Sequence, residues 1–333
     1  MLQIDMKSAI ATVKSKRAKK VAVQIPEGLK TKLTEIVKEV EEKTGAAVFS
    51  FVEPCFGACD LGDAWAKELG AELLLHFGHT QILGQSKIPT VYLPLEYNLE
   101  GKKLETALKK LDELLRAGKM KKVALCTTIQ YLPCLQELKK ALGKKGFSVL
   151  IGKGKGAEAG QVLGCNYSAV KSVAGKADAV AFFGDGLFHP LGISFCCKKP
   201  VFLLNPIEGR AEQLKEQRDL LLRKRIAMVE KVKQAKTVGI WVSTKRGQQR
   251  AKLAMELKKK FEGRGKAAFI FASGLLNPEY LLGVQVEAIV STACPRIALD
   301  DSSSFKQAIV NPNEALIALG ERKFEEFEFD ELA

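Results

Sequence analysis

The chain has 333 residues, of which 47% are hydrophobic and 27% are charged. This length exceeds the range in which a single core keeps growing, so we expect two or three domains. The composition excludes a disordered or fibrous chain. No apolar run reaches the roughly 18 residues that a membrane-spanning helix needs, and Met1–Lys7 lacks the apolar core of a signal peptide. We therefore expect a soluble cytoplasmic protein with no membrane partner.

The net charge of +14 would suit a nucleic-acid partner, but the distribution of the charge does not favour one. Lysines cluster in helical segments together with glutamates, as at Lys102-Lys103 and Lys258–Lys260. This pattern is typical of solvated helix faces, and no aromatic RNA-binding motif accompanies it. We expect no direct nucleic-acid binding, although an acidic or nucleic-acid-associated macromolecule would suit the charge.

Short apolar runs of β type alternate with amphipathic helical runs, as expected for parallel sheets joined by crossover helices. The alternation repeats three times, and each repeat predicts a first strand, a helix, a second strand and a third strand. The first strands are predicted at 20–25, 122–128 and 237–243, the helices at 29–42, 132–144 and 249–261, the second strands at 47–51, 148–151 and 267–271, and the third strands at 72–77, 179–183 and 288–291. Longer helices at 104–117 and 210–234 open the second and third repeats. We predict an α/β fold of three similar parallel-sheet domains, at residues 1–100, 101–205 and 206–333.

Three of the eight cysteines occupy comparable places in the three repeats. Cys59 and Cys165 follow the second strands of the first two repeats, and Cys294 follows the third strand of the last. Each lies in a loop where a parallel sheet is expected to bind ligands. Three thiolates at one point suit iron–sulfur or zinc ligation, and a cubane held by three cysteines keeps one iron open for a substrate. We predict that Cys59, Cys165 and Cys294 are metal ligands, with the three domains in a pseudo-threefold arrangement around the centre.

The other five cysteines are interpreted as non-ligands. Cys126 lies in an apolar strand, Cys134 in an amphipathic helix, and Cys196-Cys197 are adjacent, so that both cannot easily face one metal. Cys55 begins a Cys-x3-Cys spacing that resembles the start of the usual radical S-adenosylmethionine signature, but no third cysteine follows.

Five segments together resemble the archaeal diphthamide-synthesis family, 2-(3-amino-3-carboxypropyl)histidine synthase. They run in order between about residue 20 and residue 305: Val23-Gln-Ile-Pro-Glu-Gly-Leu29, Pro54-Cys-Phe-Gly-Ala-Cys-Asp60, Gly160-Gln-Val-Leu-Gly-Cys165, Gly184-Asp-Gly-Leu-Phe-His189 and Thr292-Ala-Cys-Pro-Arg-Ile297.

The resemblance implies a homodimer with a central 4Fe–4S cluster held by Cys59, Cys165 and Cys294. It implies transfer of the 3-amino-3-carboxypropyl group of S-adenosylmethionine to imidazole C2 of one histidine of translation elongation factor 2. An unidentified electron donor would reduce the cluster, and the Cγ–sulfur bond of S-adenosylmethionine would break by non-standard radical chemistry, with methylthioadenosine leaving.

Residues at the ends of first and third strands are candidates for binding S-adenosylmethionine: Pro26, Glu27, Gly28, His79, Gly184, Asp185 and Gly186. A carboxylate at Glu27 or Asp185 would hold the amino group of the methionine moiety, and the glycines would let other parts of the ligand approach the backbone. Each candidate could instead have a purely structural role. Glu27 would be a favourable negative charge at a helix N-terminus, the glycines would form tight turns, and His79 would be a hydrogen-bonded histidine in a loop. No catalytic residue can be assigned.

Two other functions fit the same residues. One is a quinolinate-synthase-like iron–sulfur dehydratase, which shares three domains with one cysteine from each. The other is a zinc-stabilised basic binding module without catalysis.

Overall fold

The computed structural model describes residues 2–97 and 101–332. Within them the chain forms an α/β fold, as predicted. The described residues divide into two compact units. The first unit holds 2–97 together with Ile129–Cys134, and the second holds 101–128 with 135–332.

The first unit contains a parallel sheet and a small antiparallel pair of strands. Its strands are β1 (Leu2–Ile4), β2 (Lys20–Gln24), β3 (Ala47–Ser50), β4 (Leu73–Phe77), β5 (Thr90–Leu93) and β6 (Leu95–Tyr97). Its helices are α1 (Met6–Lys16), α2 (Leu33–Thr44) and α3 (Asp63–Glu68), with 3-10 turns at Glu27–Lys32 and Ile129–Cys134. The sheet order is β3-β2-β4-β5, with all pairs parallel, while β1 pairs with β6 antiparallel.

The central strands of this sheet are buried on both faces. On one face, Val21 and Val23 of β2 join a core cluster with Ile36 of α2. On the other face, Ala22 packs in a smaller cluster with Ala66 of α3. Strands buried on both faces are expected to be continuously apolar, which explains why the sequence of β2 shows no alternation of polar and apolar residues.

The second unit contains two further sheets. Its strands are β7 (Lys122–Thr127), β8 (Ser148–Leu150), β9 (Ala179–Phe183), β10 (Val201–Asn205), β11 (Arg210–Gln213), β12 (Thr237–Ser243), β13 (Ala267–Ser273), β14 (Ala288–Ser291) and β15 (Ala308–Val310). Its helices are α4 (Lys102–Ala117), α5 (Leu135–Lys144), α6 (Ser168–Ala174), α7 (Phe188–Cys196), α8 (Lys215–Gln234), α9 (Ala251–Glu262), α10 (Pro295–Leu299) and α11 (Pro312–Ala318). The sheet orders are β8-β7-β9-β10-β11 and β13-β12-β14-β15.

The three larger sheets repeat one topology: the second, first, third and fourth strands of each repeat lie side by side in that order. An equivalent hydrogen bond in each of the three repeats supports this repetition. In each repeat a carboxylate just before the third strand accepts a backbone N–H just before the first strand; the pairs are Glu72 with Lys19, Asp178 with Lys121, and Glu287 with Lys236. Those backbone donors lower the pKa of Asp178 and of Glu287. The predicted triple repeat of the sheets is confirmed, whereas the predicted domain boundaries stay a prediction.

The predicted helix 210–234 is wrong at its start, because Arg210–Gln213 forms β11 and α8 begins at Lys215. β11 pairs antiparallel with β10. In the turn between them, the side-chain oxygen of Asn205 accepts the backbone N–H groups of Ile207 and Glu208 at 3.0 and 3.1 Å. Gly209 follows with a φ of +71°, a conformation that glycine adopts without strain. This turn chemistry outweighs the helical pattern of the apolar residues.

The helices predicted after the first strands start later than expected. A 3-10 turn intervenes in two repeats, at Glu27–Lys32 before α2 and at Ile129–Cys134 before α5. The second turn contains Pro133, which has no backbone N–H to donate. Cys134, which was predicted to lie in a helix, is therefore the last residue of this turn, and α5 begins after it.

None of the helices in the described residues is long and apolar enough to cross a membrane.

A buried ion pair joins α8 to α11 in the second unit. The Arg225 guanidinium donates to the two carboxylate oxygens of Glu314 at 2.5 and 2.8 Å. It also donates to the carbonyl oxygens of Ala298 and Ile309 at 2.6 and 2.9 Å. Only 1% and 2% of the two side chains is exposed. The pair therefore holds α10 and the end of β15 as well as the two helices.

We expect Glu314→Ala to destabilise the protein by about 3–5 kcal/mol, because it leaves a buried arginine without its counter-charge. The exposed pair Lys38–Glu42 supplies the control: Glu42→Ala should change stability by less than about 1 kcal/mol. Urea unfolding followed by circular dichroism measures both variants. Equal midpoints for Glu314→Ala and wild type would contradict the structural role of the pair.

Candidate functional site

In the first unit, the predicted site residues lie at the carboxyl ends of the strands. In a sheet of this order, the chain leaves the first strand toward one edge of the sheet and leaves the third strand toward the other. Ligands of such sheets bind in the crevice beyond the carboxyl ends of these two strands. The loop after β2 carries Pro26–Gly28, and the residues after β4 are Gly78-His79. The loop after β3 carries Cys55 and Cys59.

Two contacts join these loops. The backbone N–H of Glu27 donates to the carbonyl oxygen of Cys55 at 3.1 Å. Gly78 has a φ of +82° and lies against the proline ring, since a Cβ at this position would be 2.5 Å from Cγ of Pro26. Only glycine satisfies the backbone conformation and the close approach together. The structure thus brings the loop of Pro26–Gly28 against Cys55 and against Gly78, the residue before His79.

The side chain of Glu27 is partly exposed and forms an ion pair with Lys30 at 2.8 Å. Gly28 is exposed, and no atom lies within 4 Å of the position that a Cβ would occupy. A ligand amino group that binds Glu27 therefore competes with Lys30 for the carboxylate.

Cys59 lies in the loop between β3 and α3, and 8% of the residue is exposed. The loop turns here, because the backbone N–H of Asp60 donates to the carbonyl oxygen of Gly57 at 3.0 Å. A Cβ on residue 57 would lie 3.2 Å from the Cys59 sulfur. Glycine at this position leaves one side of the thiol uncovered by a side chain.

A pair of histidines lies at the end of β4. Nε2 of His76 and Nδ1 of His79 are 3.0 Å apart, and Nδ1 of His76 is 2.9 Å from Oε1 of Gln24. Burial lowers the pKa of His76 to about 3, with a further contribution from His79, and burial lowers the pKa of His79 to about 4. The two rings are therefore neutral at pH 7. The ligand atoms of Cys55, His76 and His79 all lie within 4.8 Å of one another.

His76 was absent from the sequence prediction. The signal available was a histidine inside the otherwise apolar run Leu73-Leu-Leu-His-Phe77. A polar residue at a position buried on both faces requires a hydrogen-bonding partner, and here Gln24 on the neighbouring strand supplies it.

In the second unit, Cys165 lies in a loop that is tied to the end of β7. The backbone N–H of Thr127 donates to the carbonyl oxygen of Gly160 at 2.9 Å, and that of Val162 donates to Thr127 at 2.8 Å. A bridge between Leu163 and Asn166 then turns the chain, so that Cys165 is placed just before α6. Cys165 is partly exposed.

Cys294 directly precedes α10 and is also partly exposed. The segment before it continues the line of β14, since the backbone N–H of Thr292 donates to the carbonyl oxygen of Trp241 at 2.9 Å. The guanidinium of Arg296, two residues later, lies 4.5 Å from the centroid of the Phe188 ring.

Phe188 and Tyr167 connect the surroundings of Cys165 and Cys294. A Cβ on Gly164 would lie 2.1 Å from the Phe188 ring, whose face is covered by Arg296. Burial raises the pKa of Tyr167, and negative charge on Cys165 and on Cys294 would raise it further. The structure therefore places the two predicted ligands of the second unit around shared aromatic side chains.

The C-terminal residues 330–332 contact both cysteine loops of the second unit. The backbone N–H of Leu332 donates to the carbonyl oxygen of Cys165 at 3.0 Å. Arg250 forms an ion pair with Asp330 and also donates to the carbonyl oxygen of Thr292 at 2.6 Å. Glu331 accepts the backbone N–H of Tyr167 at 3.0 Å. Sequence reasoning missed this segment, because nothing in its composition indicates a partner.

Gly184, Asp185 and Gly186 follow β9. The backbone N–H of Gly184 donates to the carbonyl oxygen of Leu204 at 3.1 Å, and Gly186 has a φ of +77°. Asp185 is exposed. Close by in the chain, His189 stacks on Phe182 with ring centroids 5.8 Å apart, and burial lowers its pKa to about 4. His189 is thus a packed neutral histidine.

Three cysteines of the second unit show the features of structural thiols. Cys126 is buried in β7, and burial raises its pKa. Cys196 and Cys197 interact with each other at the end of α7, where the hydrogen bond between them raises the pKa of Cys196 and lowers that of Cys197.

Comparisons with known proteins identify the family of this chain. A family model described as "Putative diphthamide synthesis protein" matches residues 25–328. The 2-(3-amino-3-carboxypropyl)histidine synthase of Pyrococcus horikoshii is 34% identical over 332 residues, which cover 99% of this chain and 94% of the relative. The enzyme of the same name from Methanocaldococcus jannaschii is 29% identical over 329 residues, covering 96% of this chain and 89% of the relative.

Among solved structures, the crystal structure of Dph2 from Pyrococcus horikoshii with a 4Fe–4S cluster superimposes with a TM-score of 0.90 at 33% identity. The superposition covers 100% of this chain and 95% of that one. The family model spans most of the chain, and the fold of the solved relative matches that of this chain. The chain belongs to the diphthamide synthesis protein family.

Proposed function

We propose that this protein catalyses the first step of diphthamide biosynthesis. It transfers the 3-amino-3-carboxypropyl group of S-adenosylmethionine to imidazole C2 of a histidine of translation elongation factor 2. The observation that carries this proposal is the similarity, over essentially the full chain, to a structure of Dph2 with a 4Fe–4S cluster at 33% identity.

Cys59, Cys165 and Cys294 are the proposed ligands of a 4Fe–4S cluster. Thiolates are the usual ligands of such clusters, and three of them leave one position available for a substrate group. The surroundings fit this role: glycine stands beside Cys59 and Cys165, at Gly57 and Gly164, and the thiols of Cys165 and Cys294 are partly exposed. When bound, the cluster supplies the electron that breaks the Cγ–sulfur bond of S-adenosylmethionine.

The proposed S-adenosylmethionine site uses residues at the carboxyl ends of first and third strands. Glu27 or Asp185 binds the α-ammonium group, and Pro26, Gly28, Gly184 and Gly186 line the backbone beside the ligand. His79 is neutral and offers a ring nitrogen for a hydrogen bond. These residues hold and orient the co-substrate so that its Cγ atom faces the imidazole.

The proposed partners are elongation factor 2 as the protein substrate and an unidentified electron donor. We propose that the protein acts in the cytoplasm as a homodimer. The net charge of +14 suits a partner that works on the ribosome, since it attracts acidic or nucleic-acid-associated macromolecules.

We expect Cys59→Ala, Cys165→Ala and Cys294→Ala each to lose most of the bound iron, because two remaining thiolates hold a cluster poorly. Cys126→Ala is the matched control, since it removes a buried thiol from a strand, and Cys55→Ala should also keep the cluster. Iron is quantified after anaerobic purification of all five variants. Full iron in Cys294→Ala would contradict the three-ligand proposal.

With reductant and S-adenosylmethionine, the anaerobic enzyme should produce methylthioadenosine and no 5′-deoxyadenosine, because the Cγ–sulfur bond is the one proposed to break. Chromatography of the quenched mixture separates the two nucleosides, and Cys59→Ala serves as the inactive control. A dominant 5′-deoxyadenosine peak would indicate ordinary radical S-adenosylmethionine chemistry and overturn the proposed step.

Glu27→Gln and Asp185→Asn should each weaken S-adenosylmethionine binding by about tenfold, which corresponds to about 1.4 kcal/mol from one charge-assisted hydrogen bond. The cluster should remain, since neither residue is a proposed ligand. Anaerobic calorimetric titration measures the affinity. Glu35→Gln is the control, because Glu35 forms a comparable exposed ion pair with Lys32. Wild-type affinity in both test variants would contradict the proposed contact with S-adenosylmethionine. Glu27 would then act only at the start of a helix, and Asp185 only in a turn.

A further inference from the structure

We propose that Cys55, His76 and His79 form a second metal site, which takes a zinc-class divalent cation and is separate from the proposed cluster. The inference does not depend on the proposed function. It assigns a ligand role to Cys55 and His76, neither of which the cluster or the S-adenosylmethionine site uses.

The donor atoms already lie close to the spacing of a zinc site. One ligand atom each from Cys55, His76 and His79 lies within 4.8 Å of the other two, and Nε2 of His76 and Nδ1 of His79 are 3.0 Å apart. Zinc–nitrogen and zinc–sulfur bonds of about 2.0–2.3 Å in a tetrahedron require donor separations of about 3.3–3.8 Å. Shifts of a few tenths of an ångström at the histidines, with a closer approach of the sulfur, reach this geometry.

The hydrogen bonds of Gln24 fix which nitrogen of His76 is available. The backbone N–H of Gly62 donates to Oε1 of Gln24 at 3.0 Å, and Nε2 of Gln24 donates to the carbonyl oxygen of Asp60 at 2.7 Å. Oε1 therefore accepts, so Nδ1 of His76 carries the proton in the 2.9 Å bond between them. The lone pair of His76 lies on Nε2, which faces His79. An outer hydrogen bond that orients a metal-binding histidine in this way is a regular feature of zinc sites.

The three ligands are largely shielded from solvent. Cys55 and His76 are buried, with 1% and 0% of each residue exposed, and His79 is partly exposed. Three protein ligands leave a fourth position for water, as zinc sites with catalytic roles have.

Binding of the ion releases one proton. The ion binds the Cys55 thiolate, and the thiol proton is released to solvent. Nδ1 of His79, which donates to His76 without metal, becomes a ligand while the proton of the ring moves to Nε2. The remaining N–H of His79 is then a donor toward a bound substrate. The ion also immobilises the loop that carries Cys59, four residues along the chain.

Cobalt(II) titration of the full-length chain tests the site under anaerobic, reducing conditions. The background is the triple variant Cys59→Ala, Cys165→Ala and Cys294→Ala, so that the proposed cluster ligands contribute nothing to the signal. We expect one equivalent of Co²⁺ to bind with a thiolate-to-cobalt absorption band. Cys126→Ala in the same background is the matched control and should keep the band.

Adding Cys55→Ala to the triple variant should abolish the band. Adding His79→Ala should weaken Co²⁺ binding by at least about tenfold, because losing even a residue that hydrogen-bonds to a metal ligand lowers metal affinity by about that much. His79 is partly exposed, so its variant decides the question if Cys55→Ala proves unstable. No Co²⁺ binding in the triple variant, an unchanged band in Cys55→Ala, or unchanged affinity in His79→Ala would overturn the proposal. None of these outcomes bears on the assay for methylthioadenosine, which tests the proposed function separately.

Discussion

Parallel pairing of strands is the constraint on which the functional architecture depends. Among the described residues of the three larger sheets, β10–β11 is the one antiparallel pair, and every other neighbour runs parallel. Parallel neighbours must be joined by crossovers, so the connections that leave the carboxyl ends of the first and third strands are loops rather than hairpins. The shared strand order then puts the loops after first and third strands at the same point of each sheet, where ligands bind. Polar residues in these loops, and cysteines in loops after second and third strands, lie at the carboxyl edge without disturbing the buried strands.

Within the second unit, a second constraint acts on the loops themselves. Residues 330–332 bind the backbone of the Cys165 loop and, through Arg250, the segment before Cys294. The Asp330 side chain in the ion pair is nearly buried, with 8% exposed, so the interaction is less screened than a surface pair. Two loops that belong to different sheets are thereby held by one short stretch of chain. The loops that carry Cys165 and Cys294 are therefore fixed by contacts within the protein itself.

Much of the fold could be predicted because its strands are short apolar runs bounded by turn residues. The first and third strands, such as β7 and β9, fall within one or two residues of the prediction. The fourth strands were missed, and β11 was taken for helix, because pairing of Arg210–Gln213 with β10 is a tertiary interaction that outweighs local periodicity. The three cysteine loops were located correctly with respect to their strands, since this depends only on chain order.

The contents of the site were less predictable. His76 becomes informative only when Gln24 on the adjacent strand is seen to hold its ring, and the C-terminal segment only when its contact with Cys165 is known. Both features rest on contacts between residues more than fifty positions apart, which a single sequence does not encode as a local pattern. The ion pair of Glu27 with Lys30 is different, because the two residues are only three positions apart and both charges are visible in the sequence. Only the structure shows that Lys30 occupies the carboxylate that a ligand would need.

The central claim is that this chain modifies a histidine of elongation factor 2. The most direct test is anaerobic incubation of the protein with reductant, S-adenosylmethionine and elongation factor 2, followed by mass spectrometry of the peptide that contains the target histidine. We predict a 3-amino-3-carboxypropyl group on the imidazole ring, absent when S-adenosylmethionine or the reductant is omitted. An unmodified histidine with an enzyme whose cluster is intact would contradict the account.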